Sequence, residues 1–199
     1  GAFATEITPV TVKTRAGESG IGKDEGPGKV KLDKIPTLRP AFRKDGTITA
    51  ASSSSINDGA AALVLMTEST AKRLGCKPLA RIVGHATHAQ EPEWFTTAPV
   101  GATQKLLAKT GWKAADVDLW EVNEAFAVVP MALMEELKVS HDIVNVNGGA
   151  CALGHPIGAS GARIMVTLIH ALQARGGKRG IATLCIGGGE GTAVALELI

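Results

Sequence analysis

The sequence predicts an α/β fold in which a mixed sheet lies between helices on both faces. Two observations carry this expectation. From residue 79 onward, apolar strand-like runs alternate with segments of helical periodicity. The last two runs, 180–186 and 192–198, are joined by the glycine-rich stretch 187–191, a turn that lets them pair antiparallel. Composition agrees: 199 residues with 45% hydrophobic, 24 glycines and 20% charged side chains describe an ordinary soluble α/β chain.

Taken in order, 7–13 (ITPVTVK) reads as a strand, and the polar, Gly- and Lys-rich stretch that follows to Val30 reads as a loop. Pro36 and Pro40 punctuate a short segment before Thr47-Ile48-Thr49. The small-residue run 52–55 leads through Asn57-Asp58-Gly59 into AAALVLM, which is expected as a buried strand. Residues 68–74 read as a helix that ends at Gly75. Cys76-Lys77-Pro78 makes a hinge, and a domain boundary is placed there. Beyond it come a strand at 79–86 and a helix at 99–109 with a Gly111 stop. A short strand follows at 117–122. Residues 124–137 place Phe126, Val129, Leu133 and Leu137 on one helical face despite Pro130. Residues 144–146 are expected as another strand, and 162–174 as a strongly apolar helix.

Several function classes fall away at this level. A net charge of +2 and a pI near 8.5 carry no nucleic-acid signature. No membrane-spanning run is expected, because Gly, Lys or Glu breaks every apolar stretch. Three cysteines at irregular spacing give neither a disulfide framework nor a zinc pattern, and they favour a reducing compartment, here taken as the cytoplasm. No metal is expected. GGGEG lacks the Walker lysine and the full dinucleotide fingerprint.

The chemistry concentrates in three places. His155 stands between Gly154 and Pro156 inside NVNGGACALGHPIGASG, where small residues let a ligand approach the backbone and turns hold the one titratable side chain still. Imidazole changes protonation near neutral pH, which suits it to activating a thiol. Cys185 closes an apolar run at Gly187-Gly188-Gly189, whose N–H groups can face a cavity beside the sulfur. Its alternative is a buried small hydrophobe, the reading preferred for Cys76 and Cys151. Asn123 opens NEAFA; it serves either as a helix N-cap or as the amide that holds a water toward a developing oxyanion.

Together NEAFA, NVNGGACALGHPIGASG, LCIGGGEG and SSSSINDGAAA resemble the thiolase family, the acetyl-CoA acetyltransferases and 3-ketoacyl-CoA thiolases, in both order and rough spacing. The resemblance implies a layered α-β-α fold, with 1–77 the remainder of the N-terminal thiolase domain and 78–199 the C-terminal domain. It implies acyl transfer between CoA thioesters, with acetyl-CoA or a 3-ketoacyl-CoA as substrate and no separate cofactor. By position, His155 looks like the histidine that activates the nucleophilic cysteine. Cys185 looks like the acid–base at the α-carbon, and Asn123 like the residue that holds the oxyanion-hole water. The Gly187 N–H would serve a second oxyanion hole. Ser54 resembles a contact to the pantetheine arm, and Phe126, with Ala125 beside it, lines the acyl site.

The family places its nucleophilic cysteine in the N-terminal half, and this sequence has no candidate for that segment. The chain opens GAFATEITPV, without methionine, and reads as the middle of a longer protein. The expectation is therefore the latter half of a thiolase, inactive by itself, completed by a nucleophile-bearing half and assembling as a homodimer or homotetramer. Two rivals remain. One is a non-catalytic thiolase-like module that binds CoA or lipid. The other is a ketoacyl carrier-protein synthase, which would use paired histidines instead of a lone GHP histidine with Cys185.

Overall fold

The computed structural model describes residues 1–199. Its main sheet has four strands, β3 (Ala80–Ala89), β4 (Leu119–Val122), β5 (Arg179–Ile186) and β6 (Glu190–Leu198), in the spatial order β3-β6-β5-β4. β3 and β5 both pair antiparallel with β6, whereas β4 runs parallel to β5. The sheet is therefore mixed, and the last two strands form the expected hairpin.

Strand alternation divides the core into two layers. On one face Trp120, Val122, Ile181, Ala193 and Ala195 pack with Leu106 and Leu133 from the helices α3 (Ala98–Thr110) and α4 (Val128–Leu137). On the other face Leu119, Ala182 and Leu196 meet Ile164, Leu168 and Leu172 of α6 (Ser160–Arg175). Neighbouring residues 119 and 120, 181 and 182, and 195 and 196 thus point into opposite layers. Gly180 permits the α6 approach, because a Cβ there would lie 2.7 Å from Leu168 Cδ1.

The helix stops follow local chemistry. α2 (Glu68–Leu74) begins at Thr67, whose Oγ1 accepts from Thr70 N at 3.3 Å, and ends at Gly75 in a left-handed cap with φ of 66°. α3 and α6 end in the same way at Gly111 and Gly176. None of the helices is long and apolar enough to cross a membrane.

Four local expectations are corrected. The stretch after the first strand is not all loop: β1 (Val10–Thr14) turns back on β2 (Gly17–Ile21) as an exposed hairpin. Further on, this amino-terminal region has only α1 (Gly26–Lys29) and short 3₁₀ turns. Residues 60–66 form no strand, and Val64 and Leu65 are 85% and 68% exposed. A strand needs a ladder partner as well as an apolar run. Residues 144–146 make only an isolated bridge from Val144 to Trp120, since Asn145 takes a positive φ of 47°. Finally, α4 starts at Val128 and not at Glu124, so Asn123 is not its N-cap.

The α6 layer gives a direct test. Leu168 is fully buried, and Leu168→Ala is expected to lower the unfolding free energy of the complete protein by about 2–5 kcal/mol in chemical denaturation.

Candidate active site

β4 and β5 run side by side in the same direction and finish at the same edge of the sheet, with Val122 opposite Thr183. Asn123 extends β4 by one residue through its backbone N–H to Thr183 O at 2.9 Å. Cys185 lies on β5 two residues beyond Thr183. Both side chains are buried, Asn123 at 1% and Cys185 at 5% exposure. Carboxyl ends of parallel strands are where α/β folds collect reactive groups.

His155 reaches this edge from the loop between α5 (Ala150–Leu153) and α6. Its backbone N–H donates to Ser55 O at 2.8 Å, and Ile56 bridges it in parallel. The SSSSIN run thus braces the GHP turn from outside. Gly154 has φ of +96°, and any Cβ there would collide with the Asn57 side chain, so glycine is required twice over.

The hydrogen bonds select one imidazole tautomer. Ser160 Oγ lies 2.6 Å from His155 Nδ1 and donates its own hydrogen to Pro156 O at 3.1 Å. Nδ1 therefore carries the ring proton and donates to Ser160, leaving Nε2 as an acceptor. Asn123 Nδ2, at 3.4 Å from Nε2, faces that lone pair as a donor and agrees with the same assignment. Burial first, and the Arg163 guanidinium second, hold the His155 pKa below its ordinary value. A neutral imidazole whose Nε2 meets only this long Asn123 contact can accept a proton there.

Cys185 is the other titratable side chain at this edge. Burial pushes its thiol up to about 11, so it rests protonated at neutral pH and is a strong base once ionised. In the following turn Gly187 is exposed, and its N–H meets no acceptor within the chain. That group is free to bind an oxygen.

The remaining predicted residues lie around NEAFA. Ser54 N and Oγ each donate to Ala125 O at 3.1 Å, so the hydroxyl offers a ligand its lone pairs only. Phe126 is packed edge-on by Phe42 and Phe95, with ring centroids at 5.8 and 6.2 Å. Glu124 ties two motifs together: its carboxylate accepts from Asn145 Nδ2 at 3.1 Å and from Cys151 N at 3.0 Å. Burial and this carboxylate push the Cys151 thiol up to about 12, which fits a packing role.

Ser160, Glu124, Phe42 and Phe95 escaped the sequence reading. Ser160 alone had a signal: it stands five residues after His155, at the start of a helix, where a hydroxyl can turn back on the preceding loop.

A parallel strand edge that gathers a buried thiol, a tautomer-fixed histidine and an amide defines an α/β protein with titratable groups collected at one end of its sheet. The model of the thiolase C-terminal domain matches residues 76–198, and that of the thiolase N-terminal domain matches residues 1–69. The chain belongs to the thiolase family.

Its relatives include acetyl-CoA acetyltransferases of Rhizobium meliloti, 52% identical over 198 residues, and of Chromobacterium violaceum, 53% identical over 199. In each case 99% of this chain is covered, against 50% and 51% of the relative. Among solved structures, the Bacillus anthracis acetyl-CoA acetyltransferase superposes with a TM-score of 0.96 at 48% identity, covering all of this chain and 51% of its own. An Ascaris suum thiolase in complex with coenzyme A gives 0.87 at 39% identity, covering all of this chain and 50% of its own. The chain spans about half the length of the curated relatives it matches.

Two predictions follow from the site's hydrogen bonding and burial. Ser160→Ala removes the acceptor that fixes Nδ1–H, and ¹⁵N shifts of His155 should change from a single tautomer to a mixture. Glu121, on β4, is 2% exposed, and burial raises its carboxyl to about 8 against the pull of Arg163. Above the unfolded value of about 4.5 the folded state keeps a proton that the unfolded chain has lost, so stability falls as pH rises toward 8. The slope approaches about 1.4 kcal/mol per pH unit, and Glu121→Gln should flatten it in denaturant unfolding measured from pH 5 to about 8.

Proposed function

We propose that this chain carries the acid–base half of an acetyl-CoA acetyltransferase. In this reading it transfers acyl groups between CoA thioesters, joining two acetyl-CoA molecules to acetoacetyl-CoA or cleaving a 3-ketoacyl-CoA with CoA. The observation that carries the reading is that Asn123, in contact with His155 Nε2, and Cys185 stand at the same end of the parallel pair β4–β5.

The chemistry assigns each residue a separate task. A nucleophilic thiol, supplied by the part of the relatives' length that this chain does not span, gives its proton to His155 Nε2 and takes the acetyl group, while the Cys185 thiol gives its own proton to the departing CoA sulfur and is left as a thiolate. Cys185, as thiolate, then removes the α-proton of a second acetyl-CoA. The carbanion attacks the acetyl carbonyl, and collapse of the adduct frees acetoacetyl-CoA and the nucleophile, which takes its proton back from His155. Thiolysis runs backward, with the Cys185 thiol protonating the departing carbanion. Its raised pKa keeps that acid form populated at neutral pH.

Asn123 and His155 stabilise the thioester enolate oxygen, Asn123 through a held water, and Gly187 N–H stabilises the oxyanion at the acetylated nucleophile. Ser54 borders the pantetheine arm, and Phe126, with Ala125 and Phe95 beside it, limits the acyl end. Exposed Ile56, Val64, Leu65, Ile157 and Ile186 support burial against the complementary half and within a homodimer or homotetramer. Three unpaired cysteines support a reducing compartment such as the cytoplasm.

Cys185→Ser in the complete protein should lower acetoacetyl-CoA formation by about 10²–10⁴-fold. An acetylated enzyme should still appear by intact mass after exposure to acetyl-CoA. Condensation at the wild-type rate would sink the role given to Cys185. CoA binding without any turnover in the wild type would favour a non-catalytic binding module.

A further inference from the structure

α6 presents a polar stripe to the site side of the sheet. Ser160, Arg163 and Thr167 follow at intervals of three and four residues and share one helical face. Both ends of the stripe are fixed by contacts. Ser160 Oγ holds His155 Nδ1 at 2.6 Å, and Thr167 Oγ1 donates to Glu6 Oε1 at 3.0 Å. Both hydroxyl residues are 1% exposed. Arg163 lies between them, with Nε and Nη1 shut off from solvent and without an acceptor.

Facing α6 along β4, residues 119, 121 and 123 share a side of the strand. Leu119 packs among Ile164, Leu168 and Leu172, Asn123 meets His155, and Glu121 lies between, with its Oε1 buried and unpartnered. None of the chemistry assigned above uses Arg163 or Glu121. A guanidinium with two buried N–H groups left unpaired is a costly feature of a helix–sheet contact.

We propose that Arg163 is a positioning residue for His155, a fixed positive charge one helical turn behind the Ser160 clamp that keeps a second proton off the imidazole. The inference rests on the general-base role given to His155. The titratable groups on the surrounding elements are Arg163 on α6, Glu121 on β4 with Glu124 just after it, Cys185 on β5, Glu6 on the N-terminal segment and Asp58 beside the GHP turn. After burial itself, Arg163 is the group that lowers the His155 pKa. Glu121, raised to about 8 by burial, is a neutral acid through the range in which histidine titrates, so the carboxylate that faces Arg163 in that range is Glu6, held at the far end of the stripe by Thr167. Ser160 then sets which nitrogen holds the single proton, and Arg163 resists a second. With water excluded from Nε and Nη1, this influence is little screened by salt.

The test uses the complete protein as wild type, Arg163→Gln, Arg163→Lys and Glu121→Gln. Arg163→Met keeps the aliphatic stem and replaces the Gln variant if that one does not fold. Two quantities are read: the acid limb of kcat/KM for acetoacetyl-CoA thiolysis, and the His155 titration midpoint by ¹⁵N NMR. Removing the charge should move both upward toward the ordinary histidine value of about 6.5. Arg163→Lys should return both to the wild-type position. Glu121→Gln, a neutral group replacing a neutral acid, should leave both there.

An unmoved NMR midpoint in the charge-free variant would overturn the proposal. So would a Lys variant that behaves like Gln, which would make the role one of shape. A midpoint driven lower by Glu121→Gln would show that an ionised Glu121 had been cancelling Arg163, and would overturn it too. Wild-type protein without thiolysis would refute the acetyltransferase reading, while the NMR titration would still decide the role of Arg163.

Discussion

Everything at the site depends on the parallel register of β4 against β5. With Val122 opposite Thr183, the residue after β4 and the second residue beyond Thr183 on β5 come to one sheet edge, and these are Asn123 and Cys185. A slip of one residue in either strand would reverse its alternation, sending Trp120 toward α6 and turning Asn123 away from His155. The register is held from both faces. Trp120 and Val122 are locked in the α3–α4 layer, Leu119 is locked against α6, and Asn145 reads the edge of β4 through both Val122 N and Val122 O at 2.8 Å. Packing far from the chemistry thus fixes where the chemistry can occur.

The second constraint is the joining of loops that carry little regular structure of their own. Ser55 O accepts from His155 N, Ser52 O accepts from Ala127 N, and Glu124 accepts from Cys151 N. Each bond crosses from one sequence motif to another, so the motifs form a closed set around the site. Each also satisfies a backbone or carboxylate group near the site, where an unmet polar atom would be costly. The small residues in these segments allow the approach, and the hydrogen bonds make it specific.

Much of this was legible in the sequence wherever the signal was local. Gly75 and Gly111 mark helix ends by backbone conformation and read correctly, and the glycine turn between the last two strands was found, although it closes at Gly189 and β6 begins two residues earlier than expected. His155 stood out because glycine and proline on either side announce a fixed turn. The failures share the opposite property. AAALVLM has the composition of a strand, but strand formation requires a neighbouring ladder that no local pattern specifies. Asn123 resembled an N-cap because residues with helical spacing follow it; residues 125–127 instead pair with the 52–54 segment, through Ser53–Phe126 and Ser54–Ala125, and the helix starts only at Val128. Phe42 meets Phe126 from 84 residues away, a relation that the fold alone creates.

The distribution of polar burial separates the site from the rest of the core. Among charged side chains only Glu121 is nearly inaccessible, and the buried polar groups Asn123 and Ser160 lie on the same side of β4 as it does. The opposite layer, built from α3, α4 and Trp120, buries no charged side chain, and the unpartnered polar atoms of its buried residues, Thr103 Oγ1 and Trp120 Nε1, belong to neutral groups. A core selected for stability alone would favour apolar residues in both layers, since unpaired buried polar atoms at Glu121, Asn123 and Arg163 each weaken the fold. The asymmetry therefore separates two tasks. One layer secures the sheet and carries Cys185, and the other accepts the stability cost of buried charged groups beside an imidazole held in one tautomer.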